Sequence, residues 1–241
     1  MGIPPRVSES AAAEGLGELL DEALVRRTPR LLGGRPVYLY EEGLVLVLVP
    51  GARARCWADV TRWRSTVDVN VKANENGDRS WYTLVHRHLL RFGDGEERGF
   101  LVAERRTELG PMVVEPFENL RIRSAAEHVR KRVAEAQVPA MLDRIEKDRQ
   151  VTFGPLTADA HGLFVPGGRL AYRWADMWEP RLAVNLPDLP VPASWWLQPR
   201  DVRLALRGRD GHGDPHRTEV PAWEVVNWGA LVTLWKRLKA R

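Results

Sequence analysis

The 241-residue sequence predicts a mainly-β α+β protein: two tandem, partly open barrels, each capped by a C-terminal helix, with a short N-terminal helix ahead of the first. Three observations carry that class. Residues 41–63, EEGLVLVLVPGARARCWADVTRW, and residues 160–178, AHGLFVPGGRLAYRWADMW, share one order of features. Both run through Gly-Leu and hydrophobic residues, a Pro-Gly turn, an Arg-bearing strand and Trp-Ala-Asp, and recurrence in fixed order marks a duplicated architecture. Short apolar runs divided by Gly, Pro, Asn and Asp fill most of each half, which is the pattern of antiparallel strands and turns. Each half then closes on apolar residues at helical spacing. These are Ile122, Ala126, Val129, Val133 and Ala136 in the first, and Trp228, Leu231, Val232, Trp235 and Leu238 in the second.

In chain order, residues 1–10 are polar and read as unstructured. Residues 11–27 read as an amphipathic helix through Leu16, Leu19, Leu20, Ala23 and Leu24, ended by Thr28-Pro29 because a residue before proline leaves helical geometry. Strands follow at 36–40 and 44–49 around the Glu41-Glu42-Gly43 turn, then at 53–56. A long strand at 59–72 returns through 81–89 across Asn76-Gly77, a pair suited to a tight hairpin turn. Shorter strands are expected at 98–104 and 112–117. Asn119 is a good N-cap for the first closing helix, which Pro139 is expected to interrupt by removing a backbone donor. The second half repeats the plan with strands at 151–159 (broken at Gly154-Pro155), 163–165, 169–172, 178–185, 195–198, 202–207 and 217–220. Its helix starts near Val225 or Asn227. The expected divisions are a tail and helix at 1–30, a first domain at 31–148 and a second at 149–241.

Composition is that of a globular chain, with 44% hydrophobic and 28% charged residues. The net charge of 36 − 32 = +4 is mild and unclustered, so nucleic acid is not an expected partner. Cys56 is the one cysteine, which precludes an intramolecular disulfide and fits a reducing compartment. No signal peptide is apparent, and no apolar run approaches the ~20 residues of a membrane helix. A cytoplasmic protein is the expectation.

About seven short strands capped by one helix, taken twice, match the pleckstrin-homology-like (PH-like) fold, in which a helix plugs the open end of two near-orthogonal sheets. The sequence also resembles an uncharacterised bacterial family of tandem PH-like domains. The likeness rests on Tyr38-Leu39-Tyr40-Glu41-Glu42-Gly43-Leu44, Trp57-Ala58-Asp59-Val60, Val151-Thr152-Phe153-Gly154-Pro155-Leu156, Gly162-Leu163 and Trp174-Ala175-Asp176-Met177. It spans residues 31–238 and implies the fold; it carries no activity across. Trp228 and Trp235 depart from the aliphatic residues usual in such a closing helix.

Several constellations invite a chemical reading. His86 and His88 lie at i and i+2 of one strand and so share a face, as two metal ligands would. A third ligand is missing nearby, and a polar strand face is the plainer account. His212 and His216 sit with Asp210 and Asp214 in a Gly-rich loop that can bend around a cation, yet the same residues suit a hairpin tip. No metal or other cofactor is therefore expected. No phosphate loop or nucleophile elbow occurs. Trp57 and Trp174 read as equivalent core anchors, with Asp59 and Asp176 bonding the turn, so losing either anchor is expected to unfold mainly its own half. Arg53, Arg55, Arg169 and Arg173, on the strands before those tryptophans, are candidates for anionic contact. Trp195-Trp196, beside the Pro-rich stretch 187–192, is a candidate binding hot spot, because adjacent strand residues face opposite ways. Its competing assignment is the contact between domains.

These readings converge on a non-catalytic interaction or scaffold protein whose partner is another protein or peptide. The alternatives are a peripheral membrane adaptor that binds anionic lipid and a metal-dependent enzyme built on the histidines.

Overall fold

The computed structural model describes residues 3–23, 37–47, 51–73, 80–103, 107–108, 125–165, 169–184, 194–197, 202–209 and 213–240. The chain opens with helix α1, Pro5–Ala13, with proline in its first turn where a missing N–H costs nothing. This differs from the helix expected over 11–27. Gly15 (φ 62°) and Gly17 (φ 76°) take left-handed conformations that end the helical run. Leu19–Ala23 then forms strand β1, in which Leu19 packs on a core cluster while Leu20 is exposed. Alternation at period two has overridden the helical spacing.

β1 pairs antiparallel with β2 (Val37–Tyr40), which continues through β3 (Gly43–Val47) to β4 (Ala52–Cys56) as a four-stranded meander. Both faces of β2 and β3 are buried. Val37, Leu39, Leu44 and Leu46 face the main core, while Tyr38, Tyr40, Val45 and Val47 pack under Val7 and Ala11 of α1. That double burial explains why 44–47 reads as an unbroken aliphatic run rather than an alternating one.

A one-turn 3-10 segment, Trp57–Asp59, leads into β5 (Val60–Ala73), β6 (Ser80–Phe92) and β7 (Glu97–Ala103), with β8 (Thr107–Glu108) also on β6. Helix α2 (Ala125–Glu146) closes the first half. It runs straight through Pro139, contrary to the expected interruption. The carbonyl four residues earlier belongs to Glu135, and both residues are solvent-exposed, so water can take the place of the lost donor. The buried stripe is Val129, Val133, Ala134, Gln137, Val138 and Ile145; Ala136, expected on that face, is exposed. The readings at Asn119, Ile122 and 112–117 lie outside the described residues.

The second half repeats the plan. β9 (Val151–Phe153), β10 (Leu156–Ala158), β11 (Gly162–Val165) and β12 (Arg169–Arg173) form a four-stranded meander. β13 (Arg181–Val184), β15 (Val202–Arg209) and β16 (Pro215–Pro221) form a three-stranded sheet, and α3 (Trp228–Lys239) follows a 3-10 turn at Ala222–Glu224. One strand breaks the symmetry. β14 (Ser194–Leu197) leaves its own half and pairs antiparallel with β5 of the other, opposite Lys72 to Val69. The protein is thus mainly β, with antiparallel sheets and three helices among the described residues.

The buried side chains of the two halves form one continuous cluster, from Val37 to Leu238. α3 packs on α2 and shares one buried cluster with the strands of its own half. Gly229 marks the closest approach: a Cβ there would lie 2.7 Å from Arg130 Cγ and 2.9 Å from the Trp63 ring. The closing helix therefore seals both halves, not the second alone.

Candidate functional site

The repeated Trp-Ala-Asp turn is the best-defined recurring structure, and its atoms correspond between halves. Trp57 Nε1 donates to the Tyr40 carbonyl at 3.2 Å, and Trp174 Nε1 donates to the Asp159 carbonyl at 2.8 Å. Each acceptor sits just before the turn joining the second and third strands of its meander. Both indoles are buried, as the anchor reading requires. The aspartates act differently from expectation. Asp59 O accepts from Gly93 N at 2.9 Å, and Asp176 O accepts from Arg209 N at 3.1 Å. The main-chain carbonyl of each aspartate makes the repeated tie to the following sheet, whereas the expectation had the aspartate bond its own turn.

Directly after this turn the halves diverge. Val60-Thr61 in the first corresponds to Met177-Trp178 in the second. Thr61 is exposed, and Trp178 is 50% exposed, the most of any large hydrophobic residue described. Its backbone is firmly held. Trp178 N donates to Arg207 O at 2.8 Å, and Met177 O accepts from Trp235 Nε1 at 3.0 Å and Lys239 Nζ at 2.9 Å. Lys236 and Glu179 pair at 3.0 Å alongside. Trp223 is also exposed, in the 3-10 turn before α3. Sequence reasoning passed over Trp178 as a repeat boundary. The signal was present: a tryptophan where the other copy carries threonine.

The arginines of β4 have partners already. Arg55 Nη2 lies 2.5 Å from Asp94 Oδ2 and also bonds Glu96, while Arg53 Nη1 lies 3.2 Å from Glu96 Oε2. Arg98 bonds the other Glu96 oxygen, and Arg55 lies over the Phe92 ring. Burial works against the ionised form of Glu96, but the bond from Arg55 and the neighbouring arginines outweigh it, so its pKa is lowered. For Asp94 the Glu96 backbone N–H is the leading cause of a lowered pKa, with Arg55 next. This corner ties β4 to the β6–β7 turn. It offers Arg53 and Arg55 as neutralised rather than free cations. Arg173 is exposed, and the Arg169 side chain lies outside the described residues.

His86 and His88 are not on a polar face, as the sequence reading had it. Both are buried, at 1% and 3% exposure. The strand packs them inward because its partners are aromatic. Phe100, His88, Trp63 and Trp228 form a stack with ring centroids 4.9, 5.9 and 5.8 Å apart in turn, ending under the Arg130 guanidinium. His86 stacks on His88 at 6.3 Å. Trp63 Nε1 donates to His88 Nδ1 at 3.1 Å. An indole N–H is only a donor, so Nδ1 is the acceptor and the His88 proton sits on Nε2. Burial, with the His86 charge adding to it, pushes the His88 pKa down to about 3. Trp63 is held in turn by the second half: its N–H donates to Asn227 Oδ1 at 2.6 Å, and its carbonyl accepts from Asn227 N at 2.7 Å. Asn227 has φ 56°, a left-handed conformation that asparagine tolerates better than most residues. Sequence reasoning offered it only as a helix start.

His216 is exposed on β16, tilted against Tyr172 and within 3.1 Å of Thr218 Oγ1; His212 lies outside the described residues. Among the described residues no three His, Cys, Asp or Glu side chains gather as a metal site. No described helix is long and apolar enough to cross a membrane. Trp195 and Trp196 stand opposite Val71 and Asn70 on β14, while their side chains lie outside the described residues. No family model matches the chain, and no curated protein is significantly similar to it.

Proposed function

We propose that the protein is a non-catalytic interaction module, two PH-like units fused through one core, that binds another protein through the face carrying Trp178. The supporting observation is the exposed indole at a position where the repeat itself places an exposed threonine. A large aromatic ring on a rigid backbone costs little entropy to immobilise and is the residue type most enriched among binding hot spots. Every other tryptophan with a described burial, Trp223 apart, is buried or packed on the core. The repeat plan of four strands, three strands and a helix supports the PH-like assignment, and the ion-paired state of Arg53 and Arg55 favours a protein over an anionic surface.

The test is retention of a partner from the native cytoplasm on immobilised protein, comparing wild type with Trp178→Thr. That substitution restores the residue of the other copy and leaves the backbone bonds intact. A stoichiometric partner retained by wild type and lost by the variant is the expected result. Equal retention by both would move the site elsewhere. Salt-sensitive sedimentation with vesicles containing phosphatidylserine would favour a membrane adaptor instead.

A further inference from the structure

β14 is a strand supplied to a sheet it does not belong to. Among the described residues its own unit's sheet is continuous without it, since β13 pairs directly with β15 from Arg181↔Ala205 to Val184↔Val202. What it completes is the edge of β5. That edge is otherwise held by Asn227, which takes both backbone groups of Trp63. Alternate residues of an antiparallel strand direct their N–H and C=O to the same side. Trp63 therefore fixes the parity, and Val69 and Val71 present their backbone groups to β14, opposite Leu197 and Trp195. β14 lies at the end of the order β14-β5-β6-β7, so its place is that of an added strand.

We infer that the β5 edge at 69–72 is a strand-addition site, and that Ser194–Leu197 is its built-in occupant. A partner protein binds there by presenting an extended, uncharged, aromatic-containing segment that displaces β14. This rests on the protein-binding reading above and names a second contact for it. The chemistry of the foreign strand is read from the resident one, Ser-Trp-Trp-Leu, which carries no charge and no glycine or proline. Backbone hydrogen bonds supply affinity in such a mode, and side chains at alternate positions supply selectivity. A tethered strand competes at a high effective concentration, of order millimolar for a short link. The resident strand therefore holds foreign segments at weak apparent affinity until it is released.

The experiment uses the full chain and a fluorescent peptide copying residues 192–199. Trp195→Pro removes one of the two N–H donors toward β5, and Leu197→Pro removes the other. Near-UV dichroism checks that each variant stays folded. The expected result is peptide binding at least tenfold tighter to either variant than to wild type, abolished when the peptide carries proline at the same positions. On wild type, excess peptide should speed amide exchange at Trp195 and Leu197 while Val69 and Val71 stay protected. Affinity no tighter in the variants, or unchanged exchange, overturns the inference, even if a partner is still retained through Trp178. A concentration-dependent dimer of wild type, lost in both variants, would make a second copy the occupant and overturn it as well.

Discussion

In the first half the strand after the Trp-Ala-Asp turn runs for 14 residues; in the second its counterpart, β13, has 4. The closing helices differ in the same sense, 22 residues against 12. The long β5 of the first half has one edge that its own strands do not pair, and an unpaired edge recruits other strands. The second half supplies what covers that edge, Asn227 at one point and β14 further along. In turn, α3 packs on α2 and, through Trp228, on Trp63 of the first half. Two copies of one plan have become unequal, and the inequality is what joins them. A duplicated sequence does not by itself imply two independent folding units.

The sharpest way to break this comparison is truncation after Val220. Because α3 seals both halves, the truncated chain should lose near-UV dichroism throughout, not only in its second half. A first half that kept a cooperative melt would show the halves to be separable. Next come the paired anchors. Trp57→Ala and Trp174→Ala should each cost ~3–5 kcal/mol, and with one continuous core each should lower a single shared transition. Two resolved transitions in calorimetry, with only one moved, would restore the expectation that each anchor serves its own half.

The joint itself can be probed more gently. Asn227→Gly keeps the left-handed backbone accessible but leaves the buried Trp63 N–H without its acceptor, which should cost about 1–3 kcal/mol. Asn227→Ala should cost about 1 kcal/mol more, because it adds backbone strain. Denaturant midpoints of the two variants measure the difference, and equal midpoints would remove the strain argument.

The smallest effect is titration of His88. Its folded pKa, about 3, lies below the ordinary 6.5, so the unfolded chain binds the extra proton first. Stability is full above about pH 6.5 and falls as pH drops toward 3, by at most about 1.4 kcal/mol per unit. His88→Phe should flatten that slope in melts taken between pH 7 and 4. An unchanged slope would place the acid sensitivity elsewhere.

The repeat and both closing helices were legible because they rest on local pattern. Trp-Ala-Asp stands twice in the sequence, and Trp228, Leu231, Val232 and Leu238 are all buried as their spacing implies. β1 was misread because Leu16, Leu19, Leu20 and Ala23 satisfy helical spacing, while the two glycines that stop the helix are weak signals alone. His86 and His88 were placed on a polar face because residue type suggested it. Phe100 from the next strand and Trp228, arriving over Trp63 from far along the chain, make that side of β6 an interior. The β14–β5 pairing was illegible for the same reason: nothing local in Ser-Trp-Trp-Leu names a strand more than a hundred residues earlier.

The tie between Trp63 and Asn227 spans 164 positions of sequence. A ribosome adding about 5–20 residues per second delivers Trp63 roughly ten to thirty seconds before Asn227 exists. Throughout that interval the growing chain carries the β5 hairpin with one edge unsealed and its aromatic stack missing Trp228. The core cannot close until the helix that carries Trp228 has been made. Yield in a cell should therefore depend on how well nascent chains are shielded during synthesis, more than on the stability of the finished fold.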